Sequence, residues 1–186
     1  MFGITLPLNQ NFPILAVMAA GLLASSNVMA AEEQTISAFA TWQGQGVAYE
    51  TGEHTNTFVG SIAGPLFVDT EKGPVSAGRI VCPAMMEIER ESARQIGWGK
   101  CTVIGDDGAK VFGRWSCEGV HLVGCDGNIT LTGGTGRMAG TTGEGKVRVR
   151  TTTRAAASDA SASGSTLELG AGILIIRDLT YALPSM

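Results

Sequence analysis

Four cysteines, two histidines and a dense run of glycines are the residues whose types could do chemistry in this chain. Cys82, Cys101, Cys117 and Cys125 contain no C-x-x-C pair, and only His54 and His121 could join them as nitrogen ligands. That spacing does not describe a zinc site. The glycine run holds two near-matches to nucleotide motifs. Gly140–Lys146 (GTTGEGK) fits the first seven positions of a phosphate-binding P-loop, but Val147 stands where the magnesium-binding Ser or Thr belongs. Gly134, Gly136 and Ala139 fit the G-x-G-x-x-A form of the dinucleotide fingerprint. Both motifs need a following helix, whose N-terminal amides hold the phosphates. Lys146 to Thr151 instead alternates polar and apolar residues with a period of two, which is a strand. The glycines are therefore turns and kinks in a sheet, and no phosphate site is expected.

The remaining catalytic signals are sparse. His121 sits in the loop Gly119–Gly124 between apolar neighbours, with no carboxylate partner identifiable from sequence. Glu50 and Glu53 flank a turn, and Arg79 and Glu87 fall on the polar side of their strand. The G-x-S-x-G elbow is absent, so no Ser-His-Asp arrangement can be argued. No catalytic residue is assigned, and nothing calls for a metal or cofactor.

The elements that must carry these residues read as about eight strands: Ile36–Tyr49, Thr55–Asp69, Val75–Ile88, Gly97–Ile104, Ala109–Glu118, Cys125–Thr132, Gly145–Thr153 and Ser165–Leu183. Turn signals such as Lys72-Gly73-Pro74, Asp106-Asp107-Gly108 and Gly133-Gly134 separate them. Met85–Gln95 is the best helical stretch, and it is short. Residues 155–164 are small and low in complexity, with little bulk to bury, and read as a mobile loop.

Face assignment orders the cysteines. Ile80, Cys82, Met86 and Ile88 share a side opposite Arg79 and Glu87; Cys101 lies with Val103, Cys117 with Val111 and Trp115, and Cys125 with Ile129 and Leu131. All four thus fall on apolar faces, which favours packed disulfides over an exposed nucleophile. A hairpin centred near Glu91-Ser92 sets Cys82 opposite Cys101, and one centred on His121 sets Cys117 opposite Cys125. These bridges close loops of roughly 20 and 9 residues and should contribute about 2–4 kcal/mol each. On Lys146–Arg150 the odd positions Val147 and Val149 face the core, leaving Lys146, Arg148 and Arg150 as a solvated basic row. Trp42, Trp98 and Trp115 are expected in the core or lining a cavity.

Residues 1–30 differ from the rest. Phe12–Leu23 is apolar and Val28-Met29-Ala30 precedes Ala31-Glu32-Glu33, the pattern of a signal peptide cleaved after Ala30 or Ala31, although its n-region lacks Lys and Arg. The apolar run is short for a membrane span. Export to a periplasmic or secreted location is expected, with no stable span after cleavage. Residues 31–186, about 155 residues, suffice for one domain. A net charge of −4 and pI near 5.2 give no reason to expect a nucleic-acid partner.

One apolar face per strand and mostly local connections make the domain all-β, an antiparallel up-and-down barrel or a sandwich, which the pattern alone does not separate. The stretch LTGGTGRMAGTTGEGKVRV resembles the GGTG segment shared by plant allene oxide cyclases and dirigent proteins. In the cyclases that turn leads into F-x-G-A-Y-G-x-V-K-L, and Gly140, Gly145, Val147 and Val149 fall in similar places. Gly105–Gly108 resembles their G-D-Y-G turn, and Arg177-Asp178-Leu179 through Leu183-Pro184 is similar to their closing strand. The resemblance covers roughly residues 76–184 and implies an eight-stranded barrel. It also implies a small apolar ligand, since the cyclases close a fatty-acid epoxide without a cofactor and dirigent proteins steer phenolic radical coupling. The cyclases' acidic, asparagine-rich opening motif has no counterpart here, so their catalytic residues are not carried over. A ligand would be lined by Trp115, Val111, Val103, Met86 and Val147. The other reading is a non-catalytic exported barrel that binds a partner or assembles as a homo-oligomer. N-terminal sequencing of the exported protein should find Ala31 or Glu32 first; residues 1–30 retained in a membrane-bound form would rule the cleavage out.

Overall fold

The computed structural model describes residues 33–158 and 165–183; the expected signal peptide, residues 1–30, and residues 159–164 of the expected loop lie outside the described residues. Eight strands follow in chain order: β1 (Glu33–Glu50), β2 (Thr55–Asp69), β3 (Val75–Glu89), β4 (Arg94–Ile104), β5 (Lys110–Val120), β6 (Gly124–Gly134), β7 (Thr142–Ser158) and β8 (Ser165–Ala182). Each pairs antiparallel with its neighbours, and β1 pairs with β8 from Glu33 opposite Ala182 to Tyr49 opposite Ser165. That last ladder closes the barrel and decides against a sandwich.

Two expectations are corrected. Met85–Gln95 is not helical: Met85 to Glu89 ends β3, a turn follows, and Arg94 begins β4. Glu87 pairs with Ile96 across this hairpin, and Ala93 turns with φ +56°, so ladder pairing wins over a short 3.6-residue period. β7 also runs to Ser158, so Ala155–Ser158 pair with β8 and do not belong to the loop.

Both disulfides join the expected cysteines. Cys82 and Cys101 are bonded with Cα atoms 4.1 Å apart, in the Glu91–Ser92-centred register, since Val81 pairs with Thr102 and Ala84 with Gly99. Cys117 and Cys125 are bonded across 5.5 Å, but their hairpin is centred on Leu122, not His121. Cys117 therefore faces Gly127, Cys125 faces Gly119, and the bridge runs diagonally between them. A Cβ at Gly127 would stand 2.8 Å from the Cys117 Cβ, so a side chain there would occupy the bridge's space.

The ends of the barrel differ. Buried Ala38, Ala40, Leu66, Ile80, Leu131, Val147, Leu174, Ile176 and Leu179 pack the half nearest the point where the chain enters β1 and leaves β8. In the other half many inward positions are glycine, and aromatic rings lie over them. The six-membered ring of Trp42 covers Gly170 and Gly172 of β8, Phe58 covers Gly46 and Gly60, and Trp115 covers Gly97 and Gly99 of β4. Eight strands enclose just enough room for side chains to interdigitate, so large rings fit only where their neighbours have none. The fit predicts unequal substitutions. A Cβ at Gly172 would lie 2.0 Å from the Arg150 carbonyl oxygen, whereas one at Gly97 meets only the Met86 side chain at 3.1 Å and Trp115 at 3.4 Å. Gly172→Ala should cost about 1–3 kcal/mol in urea unfolding and Gly97→Ala less than about 1 kcal/mol; the reverse order would refute this packing.

Candidate functional site

The glycine-rich half leaves a cavity of about 110 Å³ at the end of the barrel where β1 turns into β2, β3 into β4 and β5 into β6. Its walls are apolar. Trp42 from β1, Phe58 from β2, Met86 from β3 and Trp115 from β5 contribute, with Ile62, Val149 and the half-cystine Cys125. Trp42 and Trp115 are 7% and 8% exposed, and neither indole N–H has a hydrogen-bond partner among the described residues. The Trp115 Nε1 lies 3.1 Å from where a Gly99 Cβ would be, so its N–H side is held against the β4 wall.

Besides Gln45, Ser61 and Thr151, three polar residues with titratable or amide side chains line the same cavity near its mouth. Gln95, the second residue of β4, points inward and is 5% exposed. His121 and Leu122 belong to the β5–β6 turn, fixed by the His121 amide donating to the Ala93 carbonyl at 2.7 Å and by the Cys117–Cys125 bridge beneath. Leu122 has φ +73° and is half exposed, which places an apolar side chain at the mouth. Glu168 enters from β8 between Gly46 of β1 and Ala156 of β7. An apolar chamber rimmed by a carboxylate, an imidazole and an amide can hold a ring-sized group, orient one polar substituent and move a proton at it.

Of the residues chosen from sequence, Trp115 and Met86 line this cavity. Val103 and Val111 face each other across β4 and β5 and pack, half-buried, against the core; Val147 is 3% exposed within that core. His121 gains a carboxylate in the same cavity, Glu168, which sequence reasoning missed. Its neighbours Leu167 and Leu169 invite the opposite assignment, leucines inward and glutamate outward. The available signal was glycine: Gly170 and Gly172 share the parity of Glu168 and of buried Leu174, marking that side as the interior.

Trp98 is corrected from core or lining to outer surface. It is 38% exposed, because Gly97 and Gly99 take the inward positions and Trp115 covers them. Glu50 is exposed and accepts from Arg90 at 3.0 Å, and Arg79 and Glu87 stand on the outer wall. The basic row is outside but partly neutralised. Lys146 donates to Asn128 at 2.8 Å, and Arg148 and Arg150 both bond Asp126. Arg148 first, then Arg150, hold the Asp126 carboxyl below the usual carboxylate range.

No protein-family model matches the chain, and no curated protein does. Among solved structures, a pterocarpan synthase dirigent protein is similar over 91% of this chain and 98% of its own, at 9% identity and a TM-score of 0.31. Those values carry no argument about activity, and the architecture stands on the strand order itself. It is the architecture that the resemblance to allene oxide cyclases and dirigent proteins implied. The positions of the three tryptophans have a direct check: acrylamide should quench the fluorescence mainly through Trp98, and Trp98→Phe should lower the quenching constant several-fold. An unchanged constant would mean that Trp42 or Trp115 is open to solvent.

Proposed function

We propose that this chain is an exported barrel that binds a small apolar molecule in the glycine-rich half of its lumen. The observation that carries the reading is the cavity lined by Trp42, Phe58 and Trp115, in a barrel whose other half holds the buried aliphatic core. An apolar cavity of about 150 Å³ in another protein holds benzene. At about 110 Å³ this one suits a single ring or branched alkyl end, with Met86 as an adaptable wall and the rest of the ligand leaving past Leu122. Its two disulfides suit an oxidising compartment, which supports a periplasmic or secreted location.

A second, catalytic reading rests on Glu168 and His121 lining one cavity. A carboxylate and an imidazole beside an apolar wall fit a proton-transfer isomerisation or cyclisation of the bound molecule that needs no cofactor. Without turnover, the same groups would orient a hydroxyl or carbonyl.

A panel of small phenolics, terpenoids and fatty acids tested on the mature protein addresses both readings. A true ligand should change tryptophan fluorescence, and Trp115→Phe should remove most of that change. At a hundredfold excess over Kd it should raise Tm by about 5–10 °C, since only the native state binds. Glu168→Gln should leave this binding within about tenfold while abolishing any turnover. A well-folded protein whose Tm and fluorescence ignore the whole panel would end the ligand reading in favour of a non-catalytic, partner-binding barrel.

A further inference from the structure

The outer wall is divided, and one sector of it has no use in the cavity. Arg114 on β5 stands directly opposite Lys100 on β4, both exposed. Like charges set directly across a ladder destabilise a sheet. Among the described residues neither side chain has a hydrogen bond or an ion pair, whereas Arg94 on the same strand is held by Glu118 at 2.6 Å. Exposed aromatics flank the cations: Trp98 two residues before Lys100, and Phe112 two residues before Arg114, 38% and 37% exposed. From Trp98 an apolar row runs around the barrel, because Trp98 opposes Met85, Met85 opposes Val59 and Val59 opposes Val47. Met85 and Val59 are 39% and 45% exposed.

We propose that this face of β3, β4 and β5 docks on an anionic lipid bilayer. Trp98 and Phe112 are side chains that settle at the level of lipid headgroups, and Met85 and Val59 continue the apolar contact. Lys100 and Arg114, uncompensated on the protein, find their counter-charge in lipid phosphates. Of the acids around the pair, Glu118 is already bound to Arg94, Glu87 lies four positions along the ladder, and Glu144 stands in the same row as Arg114 with Thr130 of β6 between them. A second copy of the chain is the poorer occupant, since a two-fold contact through the face would bring Lys100 and Arg114 against the same cations. A soluble polyanion would leave the apolar row wet.

The test is co-sedimentation of the mature chain with phosphatidylglycerol–phosphatidylcholine vesicles, against phosphatidylcholine alone, at low and high salt. Binding should require phosphatidylglycerol, weaken with salt and shift Trp98 emission to the blue. Lys100→Gln with Arg114→Gln should lower partitioning on the order of 30-fold, equivalent to about 2 kcal/mol. This double variant removes a repulsion, so its Tm should not fall. Met85→Ser is an independent probe and should weaken binding without changing its salt dependence. Absence of binding, equal binding to phosphatidylcholine alone, or indifference to the double variant would overturn the proposal. So would retention on a soluble polyanion without vesicle binding, or a concentration-dependent oligomer that buries Trp98 in the absence of lipid.

Discussion

The structure depends on one constraint: a closed eight-stranded barrel has a lumen of nearly fixed width. Three aromatic rings cannot enter it unless the strands they lie on lack side chains there. Gly170 and Gly172 under Trp42, Gly97 and Gly99 under Trp115, and Gly46 and Gly60 under Phe58 meet that condition. Dispersion contact between a ring face and a bare backbone replaces the side-chain packing of the opposite half. Because flat rings do not fill the space that paired aliphatic chains would, the same substitution leaves the cavity.

The disulfides act within this geometry. Cys82–Cys101 ties β3 to β4 and Cys117–Cys125 ties β5 to β6, so each bridge stiffens one hairpin. In the chain-entropy model the bridges restrict the unfolded chain by about 3.3 and 2.6 kcal/mol respectively. The diagonal bridge lies under the turn that carries His121 and Leu122, and Cys125 is itself part of the cavity wall. Local covalent restraint therefore holds the mouth in place where the barrel has fewest side chains to pack.

Charge is sorted between the faces. The lumen's described ionisable side chains at the cavity are Glu168 and His121, both near its mouth, where water is close. Outside, Arg94 with Glu118, Arg137 with Asp107, and Arg148 and Arg150 with Asp126 pair across neighbouring strands or turns. Lys100 and Arg114 break that pattern beside Trp98, and the break gives the outer wall a direction.

Strand positions, the all-β class and both cysteine pairings were legible in the sequence, because turn residues and period-two alternation are local signals; barrel over sandwich rested on the resemblance of the GGTG segment. The cysteine parities followed from the same alternation. Faces were not legible where both sides of a strand are apolar or where glycine hides the interior side. Trp98 is expected inside from sequence, and the barrel sets it outside between Gly97 and Gly99; on β8 the inward side carries Glu168 and glycines, although Leu167 and Leu169 offer more apolar bulk. The Cys117–Cys125 pairing was legible too, but its diagonal geometry was not, since the tight turn that shifts its hairpin needs Leu122 at φ +73°, which no local pattern announces. What the sequence by itself determined is which stretches become strands and which residues turn between them, which follows from short-range backbone preference. Only closure of the barrel decided which face is inside, because inside exists only once β1 meets β8 and the rings of one strand find the glycines of another.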